Sequence, residues 1–254
     1  MGQMQAWTAN LLRNVGKGSI DLVFPPSCLI CMEEIISPTE DIGVCQQCLE
    51  EITSVKGPVC RRCAARIPEI PGQKETCPRC ERDRLRFDAT YSLGEYTGLL
   101  RDTVIQMKSD RSERYARLCS RLLLLRFGER LRELNFDAVL SIPTSPWRRW
   151  IRGTNAPAVM AQEIASTLQV PMARGLLEWV RTPLTQHGMS RAGRFRNVRG
   201  NLRVARGFRF DSPRLLIVDD VLTTGATCSE AARVLKSYGA EKVVVAVVGR
   251  TSDG

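Results

Sequence analysis

Residues 215–227 read LLIVDDVLTTGAT. Two adjacent carboxylates, Asp219 and Asp220, close an apolar run, and Thr223, Thr224, Gly225, Ala226 and Thr227 follow at once. Like charges side by side repel, so they suit a cation or a polyhydroxyl partner, such as ribose hydroxyls with Mg²⁺ nearby. Threonine hydroxyls and loop N–H groups are donors for a phosphate, and a helix dipole behind them favours an anion. Gly225 permits close backbone approach. A strand, a turn and a threonine cap explain part of this pattern. They do not explain two acids ahead of TTGxT.

Such a site needs a strand before it and a helix after it. The run from Leu215 to Val218 reads as a strand covered on both faces, as in a parallel sheet, and a helical pattern starts near Ser229. Ligands in open α/β sheets bind beyond the carboxyl ends of such strands. Further strands are expected over residues 89–95, 137–142, 213–219 and 242–248, and helices over 98–107, 111–134 and 155–168. Alternation of the two implies an α/β domain with a parallel sheet. Residues 4–23 read as an amphipathic helix ended by Pro25-Pro26.

Eight of the ten cysteines form four CxxC pairs: Cys28/Cys31, Cys45/Cys48, Cys60/Cys63 and Cys77/Cys80. With no signal-peptide pattern and no long apolar run, a cytoplasmic protein without a membrane span is expected, and there cysteine pairs argue for metal rather than disulfides. Each pair can present two thiolates, so four pairs make two structural Cys₄ zinc sites. Two successive ribbons, 28–48 and 60–80, or an interleaved cross-brace both fit the spacing. Bound Zn²⁺ would add folding free energy on the order of 10 kcal/mol per site, which would order a segment poor in large apolar residues. Cys119 and Cys228 read as packed thiols, although Cys228 lies where a helix N-terminus could lower its pKa.

The formal charge is +10, and arginine outnumbers lysine 31 to 6. Eight thiolates and two Zn²⁺ bring the charge to about +6, so the surface stays basic. Arginine suits bidentate phosphate contacts.

The 215–227 segment resembles the phosphoribosyl-pyrophosphate (PRPP) motif of type I phosphoribosyltransferases. That resemblance implies that Asp219 and Asp220 face the ribose hydroxyls, with Mg²⁺ accompanying PRPP, and that residues 223–227 hold the 5′-phosphate. Purine-salvage relatives carry an acid where this chain has Thr223, which is no general base at neutral pH. A pyrophosphate needs a cationic partner. The segment SIPTSPWRRWIRGTN (141–155) supplies Thr144, Arg148, Arg149 and Arg152 directly after a strand.

A double zinc ribbon ahead of such a domain resembles the ComF family. Arg149, Arg152, Gly153 and Asn155 match its post-strand loop in order. The stretch 181–204 also matches, through Thr185, Gln186, Ser190, Arg191, Arg194 and Asn197. So does 96–108, ending at Lys108. The resemblance covers roughly 24–250 and implies a double zinc ribbon (24–85) and a phosphoribosyltransferase-like domain (86–254) whose 181–204 insert forms a hood, behind the N-terminal amphipathic helix (1–23). It also implies a link to DNA uptake or nucleotide metabolism, with single-stranded DNA and competence proteins such as a helicase as partners. His187, the only histidine, reads as a bystander in that hood.

Three functions compete. In an enzyme, Asp219 and Asp220 orient the ribose while Lys108, Arg149 and Arg152 stabilise departing pyrophosphate. In a nucleic-acid-binding protein, Arg61, Arg62, Arg66, Arg79, Arg82, Arg84 and Arg86, with seven arginines between Arg191 and Arg209, contact phosphates. In a PRPP sensor, the site binds its ligand without chemistry.

Overall fold

A computed structural model describes residues 25–35, 42–54, 57–69, 76–144, 155–181, 188–208 and 211–251. The expected helix over 4–23 lies outside them, as do Arg148, Arg149, Arg152 and His187. The chain divides into two compact units, residues 1–51 and 52–254.

In the first unit, a tight turn at Cys28–Met32 is closed by the Cys28 N–H donating to the Glu33 carbonyl (2.8 Å) and the Met32 N–H to the Cys28 carbonyl (2.9 Å). Met32 takes the left-handed conformation, φ 65°. Helix α1, Gln46–Thr53, carries Cys48 near its start.

The second unit repeats that turn. The Cys60 N–H donates to the Ala65 carbonyl and the Ala64 N–H to the Cys60 carbonyl, both at 2.7 Å, with Ala64 at φ 56°. Flanking single bridges also correspond, Ser27 with Glu34 and Val59 with Arg66. The short α2, Pro78–Asp83, holds Cys80.

Four parallel strands follow: β1 (Ala89–Glu95), β2 (Ala138–Ser141), β5 (Arg214–Leu222) and β6 (Lys242–Arg250). Their order is β1-β6-β5-β2, all parallel. A separate two-stranded antiparallel sheet pairs β3 (Leu177–Trp179) with β4 (Leu202–Val204). The helices are α3 (Gly98–Ser109), α4 (Arg114–Glu133), α5 (Ala156–Leu168), α6 (Arg191–Val198) and α7 (Ala226–Ser237). This is the α/β architecture with flanking helices that the sequence pattern implies.

β6 is buried from Val243 to its end because KVVVAVV is β-branched on both faces and sits between β1 and β5. Alternate side chains point to opposite faces. Leu215 and Ile217, with Val243, Val245 and Val247, join Ala231, Val234 and Leu235 of α7 in one core. That core also contains Cys60, Cys63, Cys77, Cys80, Leu85 and Phe87. The second cysteine cluster is therefore part of the same hydrophobic body as the sheet.

Two boundaries differ from the sequence expectation. β5 does not end at Asp219; it continues to Leu222, because the nine-residue β6 keeps the ladder closed through Leu222 opposite Arg250. Helix α7 begins at Ala226 rather than near Ser229, because Gly225 takes a left-handed φ of 79° and turns the chain into the helix immediately. The loop between them is only Thr223–Gly225.

Candidate ligand site and cysteine clusters

Extension of β5 decides the geometry of its two acids. Asp219 stands in the ladder opposite Val247, Asp220 follows it, and the two carboxylates lie close enough to act on each other. Asp219 lies toward α7, with Cys228 Sγ 3.8 Å from its Oδ2. Asp220 lies toward α3, with Lys108 Nζ 3.0 Å from its Oδ2. The backbone supports both carboxylates: the Asp220 N–H donates to Asp219 Oδ1 (2.9 Å) and the Val221 N–H to Asp220 Oδ1 (2.7 Å). Lys108 and Asp220 are each under a third exposed, so their attraction is less screened than on an open surface.

Desolvation by the protein around Asp219, with the Asp220 charge adding to it, pushes the Asp219 carboxyl up to about 8, even though the side chain is only half-buried. The same surroundings raise the Cys228 thiol well above its ordinary value, first by burial and then by the two carboxylates. This reverses the lowering that a helix N-terminus alone suggests: Cys228 is a protonated, packed thiol. Cys119 is likewise buried and pushed up to about 12.

The loop is held from behind. The Ala226 N–H donates to Thr224 Oγ1 (3.3 Å), so Thr224, 4% exposed, caps the helix inward. Thr223 and Thr227 are half-exposed. The Ser229 N–H donates to the Gly225 carbonyl (2.8 Å), and a Cβ on Gly225 would lie 3.5 Å from Leu85 and Phe87.

β2 and β5 are parallel neighbours, so the chain after Ser141 leaves the sheet at the same edge as Asp219 and Asp220. The ends of the arginine-bearing segment are tied together there. Thr144 Oγ1 donates to Asn155 Oδ1 (2.9 Å), and the Trp179 indole N–H donates to the Pro143 carbonyl (2.6 Å). Asn155 belongs to the loop pattern that the sequence already showed, whereas Trp179 enters this frame without any local sequence signal for it.

The eight paired cysteines gather into two groups, Cys28/Cys31/Cys45/Cys48 and Cys60/Cys63/Cys77/Cys80, each with its sulfurs within 4.8 Å of one another. The grouping is sequential, not interleaved. Tetrahedral Zn²⁺ with Zn–S bonds of about 2.3 Å requires sulfurs about 3.8 Å apart. The spacings are 3.7 Å for Cys31–Cys45 and 3.6 Å for Cys60–Cys80 and Cys63–Cys77. Four soft donors at tetrahedral edge lengths fit structural zinc. The groups differ in depth: all four cysteines of the second are buried, whereas Cys31 is exposed and Cys45 half-buried.

A charged residue outside the expected site completes the picture. Arg250, 3% exposed, donates from Nε to the Cys63 carbonyl (2.9 Å) and from Nη1 to the carbonyls of Leu222 (3.0 Å) and Thr223. Its only sequence signal is an arginine ending an otherwise apolar strand. Asp83 at the end of α2 also accepts from Arg191 Nε (2.8 Å) at the start of α6. Among the described residues, no helix is long and apolar enough to cross a membrane.

Comparison with known proteins agrees with this arrangement. Residues 19–81 match the double zinc ribbon domain and residues 158–253 the phosphoribosyl transferase domain. The DNA utilization protein YhgH of Salmonella typhimurium is 30% identical over 239 residues, covering 91% of this chain and 99% of that protein. Competence protein F of Haemophilus influenzae is 28% identical over 208 residues, covering 80% and 88%. Among solved structures, a purine phosphoribosyltransferase from Pyrococcus horikoshii is similar over 53% of this chain and 85% of that one. Its identity of 16% and TM-score of 0.34 are too low to place any residue of this site.

Proposed function

Since the chain belongs to the ComF family, we propose that the edge formed by β5, α3 and α7 binds PRPP with Mg²⁺, in a protein linked to DNA uptake or utilisation. The observation that supports this reading is the placement of Asp219 and Asp220 near the C-terminal end of β5, with only Val221 and Leu222 between them and the three-residue loop that opens α7. In this reading the two acids orient the ribose hydroxyls. Thr223 to Thr227 hold the 5′-phosphate at the helix N-terminus, where N–H groups and the dipole meet it. Thr144 and the arginines at 148, 149 and 152 receive the pyrophosphate, and Lys108 contacts the same charge. Carboxylate oxygens are the donors a hard divalent cation takes, and Mg²⁺ there neutralises pyrophosphate charge.

Titration calorimetry of PRPP with Mg²⁺ tests the reading. Wild-type protein binds, and Asp219→Asn with Asp220→Asn removes the binding heat. Absence of binding to the wild type refutes the site. Pyrophosphate release over a panel of bases and amines then separates a transferase from a PRPP sensor, because Thr223 supplies no general base.

The exposed arginines favour a second reading. Arg61, Arg66, Arg79, Arg82, Arg84 and Arg86 around the second cysteine cluster are all exposed, as are Arg196, Arg199, Arg203 and Arg206 along α6 and β4. In this reading they track the phosphates of single-stranded DNA, with PRPP as a regulatory ligand. Affinity for an oligonucleotide then falls steeply between low and moderate salt. Salt-independent binding, or equal loss of DNA and PRPP binding in the double Asp variant, counts against it.

A further inference from the structure

Arg250 stands at the end of a strand whose other residues are almost all apolar, and it is itself buried. A buried guanidinium requires acceptors for its donors. Its described acceptors are the carbonyls of Cys63, Leu222, Thr223 and Thr251 and the Thr251 hydroxyl, all neutral groups. One of these carbonyls belongs to a cysteine of the second Cys₄ cluster; two others, of Leu222 and Thr223, end β5 and begin the phosphate loop.

The turn carrying Cys63 is tied to the sheet at further points. Thr90 Oγ1 donates to the Arg62 carbonyl (2.6 Å), the Thr90 N–H to the Arg61 carbonyl (3.2 Å), and Arg66 pairs with Glu95 (3.1 Å). Glu95 is opposite Arg250 in the β1–β6 ladder, and Arg250 is opposite Leu222 in the β5–β6 ladder. The knuckle, the end of β6 and the start of the loop thus form one contiguous unit with a single side chain bonded to both ends.

From this we propose that Arg250 is a positioning residue coupling the second Cys₄ cluster to the phosphate loop, so that zinc in that cluster and PRPP in the loop bind with positive linkage. The proposal rests on the PRPP reading given above. When the cluster is filled, the Cys63 carbonyl is fixed, Arg250 is anchored, and the carbonyls of Leu222 and Thr223 are held in the orientation that turns the loop toward the helix N-terminus. By reciprocity, PRPP in the loop raises the zinc affinity of the second cluster, a gain expressed as slower zinc loss because the clamp acts on the loaded cluster.

The test follows zinc release from fully loaded protein into a chromogenic chelator, with and without saturating PRPP and Mg²⁺. Cys31→Ser, which removes a donor of the first cluster, identifies the release phase belonging to the second. In wild-type protein PRPP slows that phase by roughly fivefold or more and leaves the other unchanged. Arg250→Lys keeps the charge but cannot hold carbonyls at both ends. In this variant PRPP, still seen to bind by calorimetry, no longer slows the phase. Arg250→Met gives the same result if it folds, and the lysine variant decides if it does not. Wild-type protein that binds PRPP with both phases unchanged overturns the coupling alone. Slowing that persists in a PRPP-binding Arg250→Lys protein overturns the role of Arg250. Wild-type protein that does not bind PRPP overturns the site itself and this coupling with it.

Discussion

Asp219 and Asp220 are consecutive in the chain, yet one is 3.8 Å from Cys228 Sγ on α7 and the other 3.0 Å from Lys108 Nζ on α3. Among the described residues, only Asp220 of the pair has a cation in direct contact. The other is left with a thiol and a raised proton affinity. Two chemically identical side chains are therefore held in different surroundings, Asp220 in an ion pair and Asp219 beside a thiol; in the PRPP reading proposed above, Asp219 loses a proton to become a full acceptor.

Binding of PRPP with Mg²⁺ should accordingly strengthen as pH rises from about 6 to about 8, the value to which Asp219 is pushed, and level off above it. Calorimetry in buffers of different ionisation enthalpy should show proton release below pH 8. A flat affinity with no proton release contradicts the raised carboxyl.

The same shift has a stability consequence. A folded-state value above the unfolded one of about 3.9 means that the folded protein binds more protons in between, so stability is lost as pH rises through that window. Asp219→Asn does not titrate. Thermal melts should show it gaining on the wild type between pH 5 and 8, with the difference constant above. A gap that does not change with pH refutes this.

Lys108→Met removes the only cation paired with Asp220 among the described contacts. Because both groups keep some exposure, melting should shift by no more than about 1 kcal/mol. PRPP affinity should fall on the order of tenfold, since a charge-assisted contact to the ligand is lost. A large melting shift with unchanged affinity makes the lysine structural.

Gly225→Ala places a Cβ at φ 79°, where left-handed backbone costs about 1–2 kcal/mol for a residue with a side chain. The neighbours Leu85 and Phe87 at 3.5 Å are in ordinary contact, so strain rather than collision is the cost. Expected outcomes are a drop of that size in denaturant unfolding and weakened PRPP binding. Unchanged unfolding would show that the turn has another conformation available.

Metal analysis should find close to two zinc per chain, as the two groups of four sulfurs require. Chelator should remove them in two phases, the first from Cys28/Cys31/Cys45/Cys48, because Cys31 is exposed while the other cluster is wholly buried. Equal rates would contradict the difference in depth.

Much of this was legible along the chain. The strands and helices follow from runs such as KVVVAVV and from helical periodicity, which depend on neighbours a few residues away. Four CxxC pairs declare a thiolate donor set in the same local way. The acids, the threonines and Gly225 mark the turn from strand to helix by type and order alone. What remained open concerns distances across the fold. Successive CxxC pairs have one spacing in either zinc arrangement, and only the folded turns show that neighbouring pairs share a cluster. The length of β5 is set by its partner β6, so no local pattern tells that the strand runs on past Asp219 and Asp220 to Leu222. Arg250 is the clearest case: a charge at the end of an apolar run reads as the strand's exit into solvent. Tertiary structure buries it instead, because carbonyls from positions 63, 222 and 223, far apart in sequence, converge to satisfy it.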